Sequence, residues 1–245
     1  MDSRITMLKQ MIEKSTNIVV FTGAGISVPS GIPDFRSANG IYFQKENLRV
    51  SPEEIVSHSF FEKYPEEFYD FYFKKMVYPH AKPNKAHLYF ADLAKRKTVK
   101  IITQNIDSLD KDAGSKIVYE IHGSVRNNYC TKCGKYYALD QIYGLRLPKC
   151  ECGGIIKPDV VLYEEGLNED LIRTSIRAIE AADMVIVVGT SLQVYPAASF
   201  IRYYPGNKLV VINKTHTPYD NYANLVINDD IINVINQIQD EDCDY

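Results

Sequence analysis

The chain has 245 residues, enough for one large domain or for one domain with a small satellite. It is 45% hydrophobic and 24% charged with a net charge of −3, so its electrostatics offer no basis for binding nucleic acid or an anionic membrane. No apolar run approaches the roughly 20 residues of a membrane-spanning helix, and the N-terminus lacks a signal-peptide core. We therefore expect a cytoplasmic protein with no nucleic-acid and no membrane partner. In that reducing compartment, its five cysteines favour metal binding or chemistry over disulfides.

Short apolar runs alternate with helical patterns along the chain, an order typical of a parallel α/β sheet. Several runs are continuously apolar, as expected for strands covered on both faces. The predicted strands span residues 17–23, 99–105, 116–123, 159–163, 184–190, 208–213 and 225–229. A helix is predicted at 167–183. The first unit has the order helix, strand, glycine turn and further helix, which favours a doubly wound nucleotide-binding fold.

The first predicted strand runs into a turn of small residues, Gly23-Ala24-Gly25. Small residues let the backbone approach a pyrophosphate, and the helix expected next would offer free N–H groups and the positive end of its dipole. Because the third glycine of the usual fingerprint is missing, a tight turn with no ligand remains an alternative. The loop that follows offers the Phe35 ring and the Arg36 guanidinium to cover a sugar and pair with a phosphate.

Two stretches interrupt the strand–helix rhythm. Residues 42–83 have no strand signal and carry aromatic residues near helical spacing, and residues 127–155 hold four cysteines among turn-forming residues. Both are predicted to be insertions that together form a second, smaller domain. The larger domain is then expected to comprise residues 1–41, 84–126 and 156–245.

Polar residues follow a second predicted strand in the order Gln104-Asn105-Ile106-Asp107. A carboxamide and a carboxylate at this place would recognise a nicotinamide amide through paired hydrogen bonds, since a buried unsatisfied donor is costly. Capping of the next helix by Asp107 is the alternative interpretation. Of the five histidines, only His122 ends an apolar strand at this same edge, where a base with a pKa near neutrality is useful.

Two later strands also end in small or polar residues. Gly189-Thr190-Ser191 closes the strand at 184–190, and Asn213 closes the strand at 208–213. Ligands of open α/β sheets bind at the carboxyl ends of the strands, so the matching edges favour nucleotide binding.

Four cysteines form two close pairs, Cys130-x2-Cys133 and Cys150-x-Cys152, the pattern of a four-cysteine zinc ribbon. Because four thiolates leave no open coordination position, we expect one structural Zn²⁺ ion. The second pair is tighter than usual, so Gly153 and Gly154 are expected to absorb an unusual turn.

The motifs GAGIS, GIPDFR, TQNID, HG, the paired cysteines and GTS occur in the order of the sirtuin signature. The chain therefore resembles the sirtuin family of NAD-dependent protein deacetylases, of bacterial type, from about residue 18 to 231. The resemblance implies a Rossmann-like doubly wound parallel sheet, a small domain built from a helical module and a zinc ribbon, and a cleft between the two domains. NAD and an acetylated-lysine protein or peptide would bind in this cleft.

The resemblance also implies roles for individual residues. His122, Asn105 and Asp107 would be catalytic. In such enzymes the acyl oxygen attacks the ribose as nicotinamide leaves, and His122 would then take a proton from a ribose hydroxyl. The products would be lysine, nicotinamide and O-acetyl-ADP-ribose. The implied cofactor-binding residues are Gly23, Ala24, Gly25, Ile32, Asp34, Phe35, Arg36, Gln104, Asn105, Ile106, Asp107, Gly189, Thr190, Ser191, Asn213, Lys214, Asp230 and Ile231.

The implied substrate-binding residues are Val161, Leu162, Tyr163, Glu164 and Val194, with the peptide adding as a strand between 161–166 and 192–195. Glu164 stands where the family commonly has glycine; it would favour basic substrate flanks or simply point to solvent. Asp110 replaces the histidine or glutamate of many relatives and is not counted as catalytic. The Tyr-x-x-Arg pair of desuccinylases is absent from 66–76, so acetyl or longer neutral acyl groups are expected.

Two other functions are compatible with the same motifs. One is mono-ADP-ribosyl transfer from NAD to a protein, which would share the residues for NAD cleavage. The other is a zinc-stabilised NAD-binding sensor without turnover. The presence of His122 together with the full Gln-Asn-Ile-Asp set favours an enzyme over a sensor.

Overall fold

The computed structural model describes residues 2–34 and 50–240. Six parallel strands of this part of the chain form one sheet, in the order β3-β2-β1-β7-β8-β9. Their bounds are β1 Asn17–Thr22, β2 Thr98–Thr103, β3 Val118–Glu120, β7 Met184–Val188, β8 Leu209–Ile212 and β9 Leu225–Ile227. The connections run outwards in both directions from the neighbours β1 and β7. This is the switch point at which such folds bind ligands, and the predicted fold class is confirmed.

Both faces of this sheet are covered, which explains why β7 and β8 are apolar at every position. On one face, α1 (Ser3–Glu13), α5 (Lys85–Leu93) and α9 (Ile231–Asp240) bury their apolar side chains against it. On the other face lie α8 (Glu169–Glu180) and a 3₁₀ helix at Ala197–Tyr203. Each fully buried valine, isoleucine or leucine contributes about 1.5–3 kcal/mol. The sheet therefore gives a rigid platform for its carboxyl edge.

Helix α8 starts where its sequence predicts. The side chain of Asn168 accepts a hydrogen bond from the Leu171 N–H, and Glu169 and Asp170 lie in the first turn, where negative charge is favourable. The predicted helix at 167–183 is confirmed with slightly tighter ends. Within the two described ranges, no helix has both the length and the apolar character needed to cross a bilayer.

A helical module follows residue 50, made of α2 (Pro52–Ile55), α3 (His58–Lys63) and α4 (Pro65–Lys75). Proline at the first position suits both α2 and α4 because its missing N–H would be unpaired there anyway. Aromatic residues form the interior, including Phe61, Phe68, Tyr69 and Tyr72. The predicted helical character is confirmed for residues 52–75, residues 76–83 are turns and loop, and residues 42–49 lie outside the described residues.

A second, antiparallel sheet contains β5 (Tyr136–Ala138), β4 (Gly123–Cys130) and β6 (Ile156–Val160) in that order. The prediction that the apolar run 159–163 is a strand of the parallel sheet is wrong. Only the first two residues of this run, 159 and 160, belong to a strand: they end β6, which pairs with β4 and whose burial alternates as in a strand with one covered face. A short apolar run does not specify which sheet it joins. Helices α6 (Leu109–Asp112) and α7 (Leu139–Ile142) complete the fold.

Candidate active site

The glycine turn after β1 packs directly against the end of β7. The Gly25 N–H donates to the Gly189 carbonyl at 2.8 Å, and a Cβ on Gly25 would lie 2.7 Å from the Gly189 Cα. Gly189 itself has φ 61°, a conformation that favours glycine. Two 3₁₀ turns follow, at Ala24–Ile26 and Val28–Ser30, so the long helix expected here is not present in the described residues.

A chain of buried hydrogen bonds links this turn to the polar residues after β2. The Asn105 side-chain amide donates to the Gly23 carbonyl and to the Ser27 hydroxyl, each at 3.1 Å. Ser27 in turn donates to the Asp107 carboxylate at 2.7 Å. The other Asp107 oxygen accepts the Leu109 N–H at 2.9 Å, so this residue also caps the following helical turn. The two interpretations of Asp107 are therefore compatible.

The environment of Asp107 is strongly desolvated. Burial raises the pKa of its carboxyl, and the hydrogen bonds from the Leu109 N–H and Ser27 only partly offset that effect. Ser27 belongs to the GAGIS motif, but no signal in the sequence indicated a role for it. Its hydrogen bonds to Asn105 and Asp107 in the folded chain show that it links the residues after β1 to those after β2.

Gln104 links the end of β7 to the same edge of the sheet as the ends of β1 and β2. Its side-chain amide donates to the Thr190 hydroxyl at 3.0 Å, and its backbone N–H donates to the Thr22 carbonyl at 3.0 Å. The residues after β1, β2 and β7 therefore meet at one edge, as the sequence predicts. Ile106, also predicted here, packs against the aromatic interior of the helical module.

His122 is oriented by the backbone of the same segment. Its Nδ1 atom lies 2.8 Å from the Gln104 carbonyl oxygen. Since a carbonyl oxygen only accepts, Nδ1 carries the proton and Nε2 keeps its lone pair. Burial lowers the pKa of the imidazole, an effect that the Gln104 hydrogen bond only partly offsets. The ring is thus neutral at neutral pH, with a basic Nε2.

The segment predicted to bind a peptide is anchored on both sides of its backbone. The Val161 N–H donates to the carbonyl of His122 at 2.9 Å. The Tyr163 N–H donates to the Val56 carbonyl, and the Tyr163 carbonyl accepts the His58 N–H, both at 3.0 Å. Leu162 is buried, and Glu164 has φ 75°. On the other predicted wall, the Val194 carbonyl accepts the Ala198 N–H at 2.9 Å.

The residues predicted to hold the adenosine half lie after β8 and β9. The Asn213 side chain donates to the Thr215 carbonyl at 2.8 Å. Lys214 and Asp230 pair with each other at 2.8 Å, and Ile231 begins α9. Ser191 directly follows Thr190 and is partly exposed.

The loop after the glycine turn is only partly described. Ile32 and Asp34 fall within the described residues, whereas Phe35 and Arg36 lie outside them. A further residue, Asn84, supports the turn by donating to the Ile26 carbonyl at 2.7 Å and to the Ser30 hydroxyl at 2.9 Å. The sequence analysis missed Asn84, although its place just before α5 marks it as a helix-capping residue.

The four cysteines of the predicted ribbon meet at one end of the antiparallel sheet. All four Sγ atoms lie within 4.8 Å of one another; the Cys130–Cys152 distance is 3.4 Å and the Cys133–Cys150 distance is 3.6 Å. Sulfur atoms around a tetrahedral zinc are about 3.8 Å apart, given a Zn–S bond of about 2.3 Å. These four residues are positioned to bind one zinc ion.

The glycines beside the second cysteine pair make the tight spacing possible. Gly153 has φ 81°, and a Cβ on Gly154 would lie 2.6 Å from the Cys130 Sγ. The Cys150 N–H donates to the Gly154 carbonyl at 2.8 Å, which closes the turn. The expected role of the two glycines is therefore confirmed.

Comparison with known proteins places the whole chain in one family. The profile of the Sir2 family matches residues 23–196. An NAD-dependent protein deacetylase of Clostridium perfringens is 54% identical over 98% of this chain and 100% of the relative. One of Staphylococcus aureus, of the same name, is 42% identical over 98% of this chain and 100% of the relative.

Solved structures agree with the sequence relatives. A Sir2 variant with a deacetylated p53 peptide and 3′-O-acetyl-ADP-ribose superimposes with a TM-score of 0.87 at 38% identity, over 97% of this chain and 98% of the other. A complex of Sir2 with a p53 peptide and NAD⁺ gives a TM-score of 0.85 at 37% identity, over 98% of both chains. The resemblance found in the sequence motifs is thus confirmed, and the chain belongs to the Sir2 family.

Proposed function

We propose that this chain is an NAD-dependent protein-lysine deacetylase that yields lysine, nicotinamide and O-acetyl-ADP-ribose. One observation carries the proposal: a neutral imidazole, His122, is oriented by the same Gln104–Asp107 segment that joins the glycine turn through Ser27. The names of the relatives and the ligands of the similar Sir2 structures support the same activity. Because the acetyl group passes to a sugar, the reaction is formally a transfer.

The residues at the sheet edge fit an extended dinucleotide. Gly23, Gly25 and Gly189 pack so closely against the facing backbone that a Cβ would clash there. A turn of such small residues would also let a pyrophosphate approach the backbone. Gln104 to Asp107 offer amide and carboxylate groups for the nicotinamide end, and Asn213 and Lys214 lie where the adenosine half is expected. NAD, when bound, supplies the ADP-ribosyl group that accepts the acetyl group.

His122 acts as the general base in this proposal. The Gln104 carbonyl fixes the tautomer, and the lowered pKa keeps Nε2 unprotonated at neutral pH. Nε2 then accepts a proton from a ribose hydroxyl, while Asn105 and Asp107 orient the polar end of the cofactor. A half-buried neutral base needs no charged partner in its resting state.

The zinc ion would have a structural role. Its four ligands are all cysteine, which leaves no coordination position for a substrate. The ion would fix the ends of β4 and β6, and β4 begins immediately after His122. A reducing compartment keeps cysteines from forming disulfides and so leaves them available as metal ligands. We therefore propose a cytoplasmic location.

The substrate would be an acetylated-lysine protein or peptide, with no role for nucleic acid or a membrane. Val161, Leu162, Tyr163, Glu164 and Val194 would line its path, with its backbone added as a strand. The interior of the helical module nearby is aromatic, and α4 contains no arginine to pair with a carboxylate-bearing acyl group. Acetyl or longer neutral acyl groups are therefore favoured.

An acetyl-lysine peptide assay with and without NAD tests the proposal. We expect nicotinamide release that requires both reactants and a peptide that loses one acetyl group. If the acceptor instead gains ADP-ribose, the enzyme is an ADP-ribosyltransferase. Binding of NAD without any nicotinamide release would identify a sensor.

A further inference from the structure

Glu164 has a backbone conformation that residues other than glycine rarely adopt. Its φ of 75° lies in the left-handed region, where a Cβ crowds the neighbouring carbonyl and glycine is favoured. It directly follows Tyr163, the residue whose backbone is held by Val56 and His58. A charged side chain at a strained position of the proposed peptide-binding edge calls for a compensating contact or a function.

The side chain of Glu164 is held in place by a neighbour from the helical module. One carboxylate oxygen accepts the Ser59 N–H and the other accepts the Ser59 hydroxyl, both at 2.9 Å. Two bonds from one residue fix the direction of the carboxylate. Both donors are neutral, so the contact orients the negative charge without cancelling it.

The adjacent residue, Glu165, has the opposite character. Its carboxylate lies 3.1 Å from the Lys157 ammonium and 2.8 Å from the His58 ring, and it accepts the Leu162 N–H. Burial acts to raise the pKa of Glu165, but the Leu162, His58 and Lys157 contacts outweigh it and lower the pKa. The same Glu165 contact raises the pKa of His58.

Glu164 therefore differs from Glu165 in its partners. In residues 2–34 and 50–240, no lysine, arginine or histidine forms an ion pair with it. It is exposed, and Glu62, also exposed, lies on the same helix as Ser59. His58 contacts Glu62 at 3.4 Å as well as Glu165, so one lysine and one histidine face three carboxylates and the rim of this edge is acidic.

We propose that Glu164 is a specificity residue: it gives the peptide-binding edge a fixed negative charge that selects acyl-lysine peptides with lysine or arginine beside the modified residue. This inference rests on the proposed function, because it assumes that the peptide lies along residues 161–166. The partner charge would come from the peptide itself, since residues 2–34 and 50–240 provide none. Acidic neighbours in the peptide would be disfavoured by the same carboxylate.

Two acetyl-lysine peptides, identical except for lysine or glutamate at the flanking positions, test the inference. The wild-type chain is expected to prefer the basic peptide by roughly two- to five-fold in kcat/KM at low salt. High salt should reduce the ratio, because exposed charges are screened. In Glu164→Gln, whose amide can still bond to both Ser59 groups, the ratio should fall towards one. Glu164→Lys should reverse it.

The controls separate the charge from the fold and from the activity. Glu180→Gln, a matched change at an exposed site on α8, should leave the ratio at the wild-type value. Affinities of the two peptides, measured by fluorescence anisotropy without NAD, report the same preference even if no turnover occurs. Absent turnover with a retained binding preference would overturn only the proposed function. An equal affinity and rate for both peptides, or a preference that survives in Glu164→Gln, would overturn this inference.

Discussion

The imidazole Nδ1 of His122 lies 2.8 Å from the carbonyl oxygen of Gln104, the first residue after strand β2. This contact decides which ring nitrogen carries the proton, and it ties the proposed base to the segment that would bind nicotinamide. Any movement of residues 104–107 would therefore move the base as well.

Replacing His122 by alanine should remove the base and leave the fold intact. We expect kcat for deacetylation to fall by about 10²–10⁴-fold, the usual contribution of general base catalysis. NAD affinity and zinc content should change little. The matched control is His216→Ala, an exposed histidine paired with Asp220, which should keep wild-type activity. Unchanged nicotinamide release in His122→Ala would refute the assignment.

The pH profile should report the desolvation of His122. Its pKa lies below the ordinary value of 6.5, so the base stays unprotonated down to mildly acidic pH. The acidic limb of kcat/KM should therefore fall below pH 6.5, and activity should decline as pH drops through that limb. A limb at or above pH 7, present in wild type and absent in His122→Ala, would contradict the lowered pKa.

Ser27 should prove to be a positioning residue for the cofactor end of the site. Ser27→Ala removes the hydroxyl that bridges Asn105 and Asp107 and leaves buried polar groups unpaired, at a cost of about 1–3 kcal/mol. We expect KM for NAD to rise about ten-fold or more, with a smaller change in KM for the peptide. Ser3→Ala, at the exposed start of α1, serves as the control. Equal rises in both KM values would indicate general unfolding instead.

Asp110 should make the protein less stable as pH rises. Its carboxyl is buried beside Asp107 and Glu120, and within the described chain one of its oxygens has no hydrogen-bond partner. Burial, and then those two negative charges, raise its pKa from 3.8 to about 7. Between these values the folded chain binds one proton more than the unfolded chain, so the free energy of unfolding falls over that range.

Asp110→Asn tests this directly. Each pKa unit corresponds to about 1.4 kcal/mol, so the variant should be several kcal/mol more stable than wild type at pH 8. The difference in stability between the variant and wild type should shrink towards pH 4, because residue 110 is then neutral in both folded proteins. Urea unfolding at the two pH values measures it. A variant that is less stable than wild type at pH 8 would show that the carboxylate is needed in its ionised form.

The local motifs of the site were predictable from the sequence because each is a short run with its own physical signal. The glycine turn, the Gln104–Asp107 segment and the four cysteines required no knowledge of distant residues. The contacts of Ser27, Asn84 and Glu164 were not predictable, since each depends on a partner that folding brings near. Asn84, for example, reaches a carbonyl 58 positions earlier in the chain.

The misplaced strand at 159–163 has a related cause. The run of apolar residues indicates burial, but the choice between a parallel and an antiparallel partner depends on β4, a strand that lies elsewhere in the sequence.

 That pairing places Gly123 opposite Val160 and Cys130 opposite Ile156, so the partners come from a different part of the sequence. A one-dimensional pattern therefore predicts that these residues are buried, but not which strand they pair with.

Zinc removal should unfold the antiparallel sheet before the parallel one. The four thiolates close the end of β4 and β6, and replacing one of them leaves three ligands for an ion that prefers four. We expect Cys150→Ala to lose its zinc and its deacetylase activity, with a lower midpoint of thermal unfolding. Cys243→Ala, which lies outside the described residues and outside the cluster, is the matched control and should keep one zinc per chain. A fully active, zinc-free Cys150→Ala variant would contradict a structural role for the metal.

The most direct test of the account is a mass-spectrometric count of the products formed from NAD and an acetyl-lysine peptide. If His122 and the Gln104–Asp107 segment act as proposed, every acetyl group lost from the peptide is matched by one nicotinamide and one O-acetyl-ADP-ribose. Free acetate in place of the acetylated sugar, or a peptide that retains its acetyl group while nicotinamide accumulates, would contradict it.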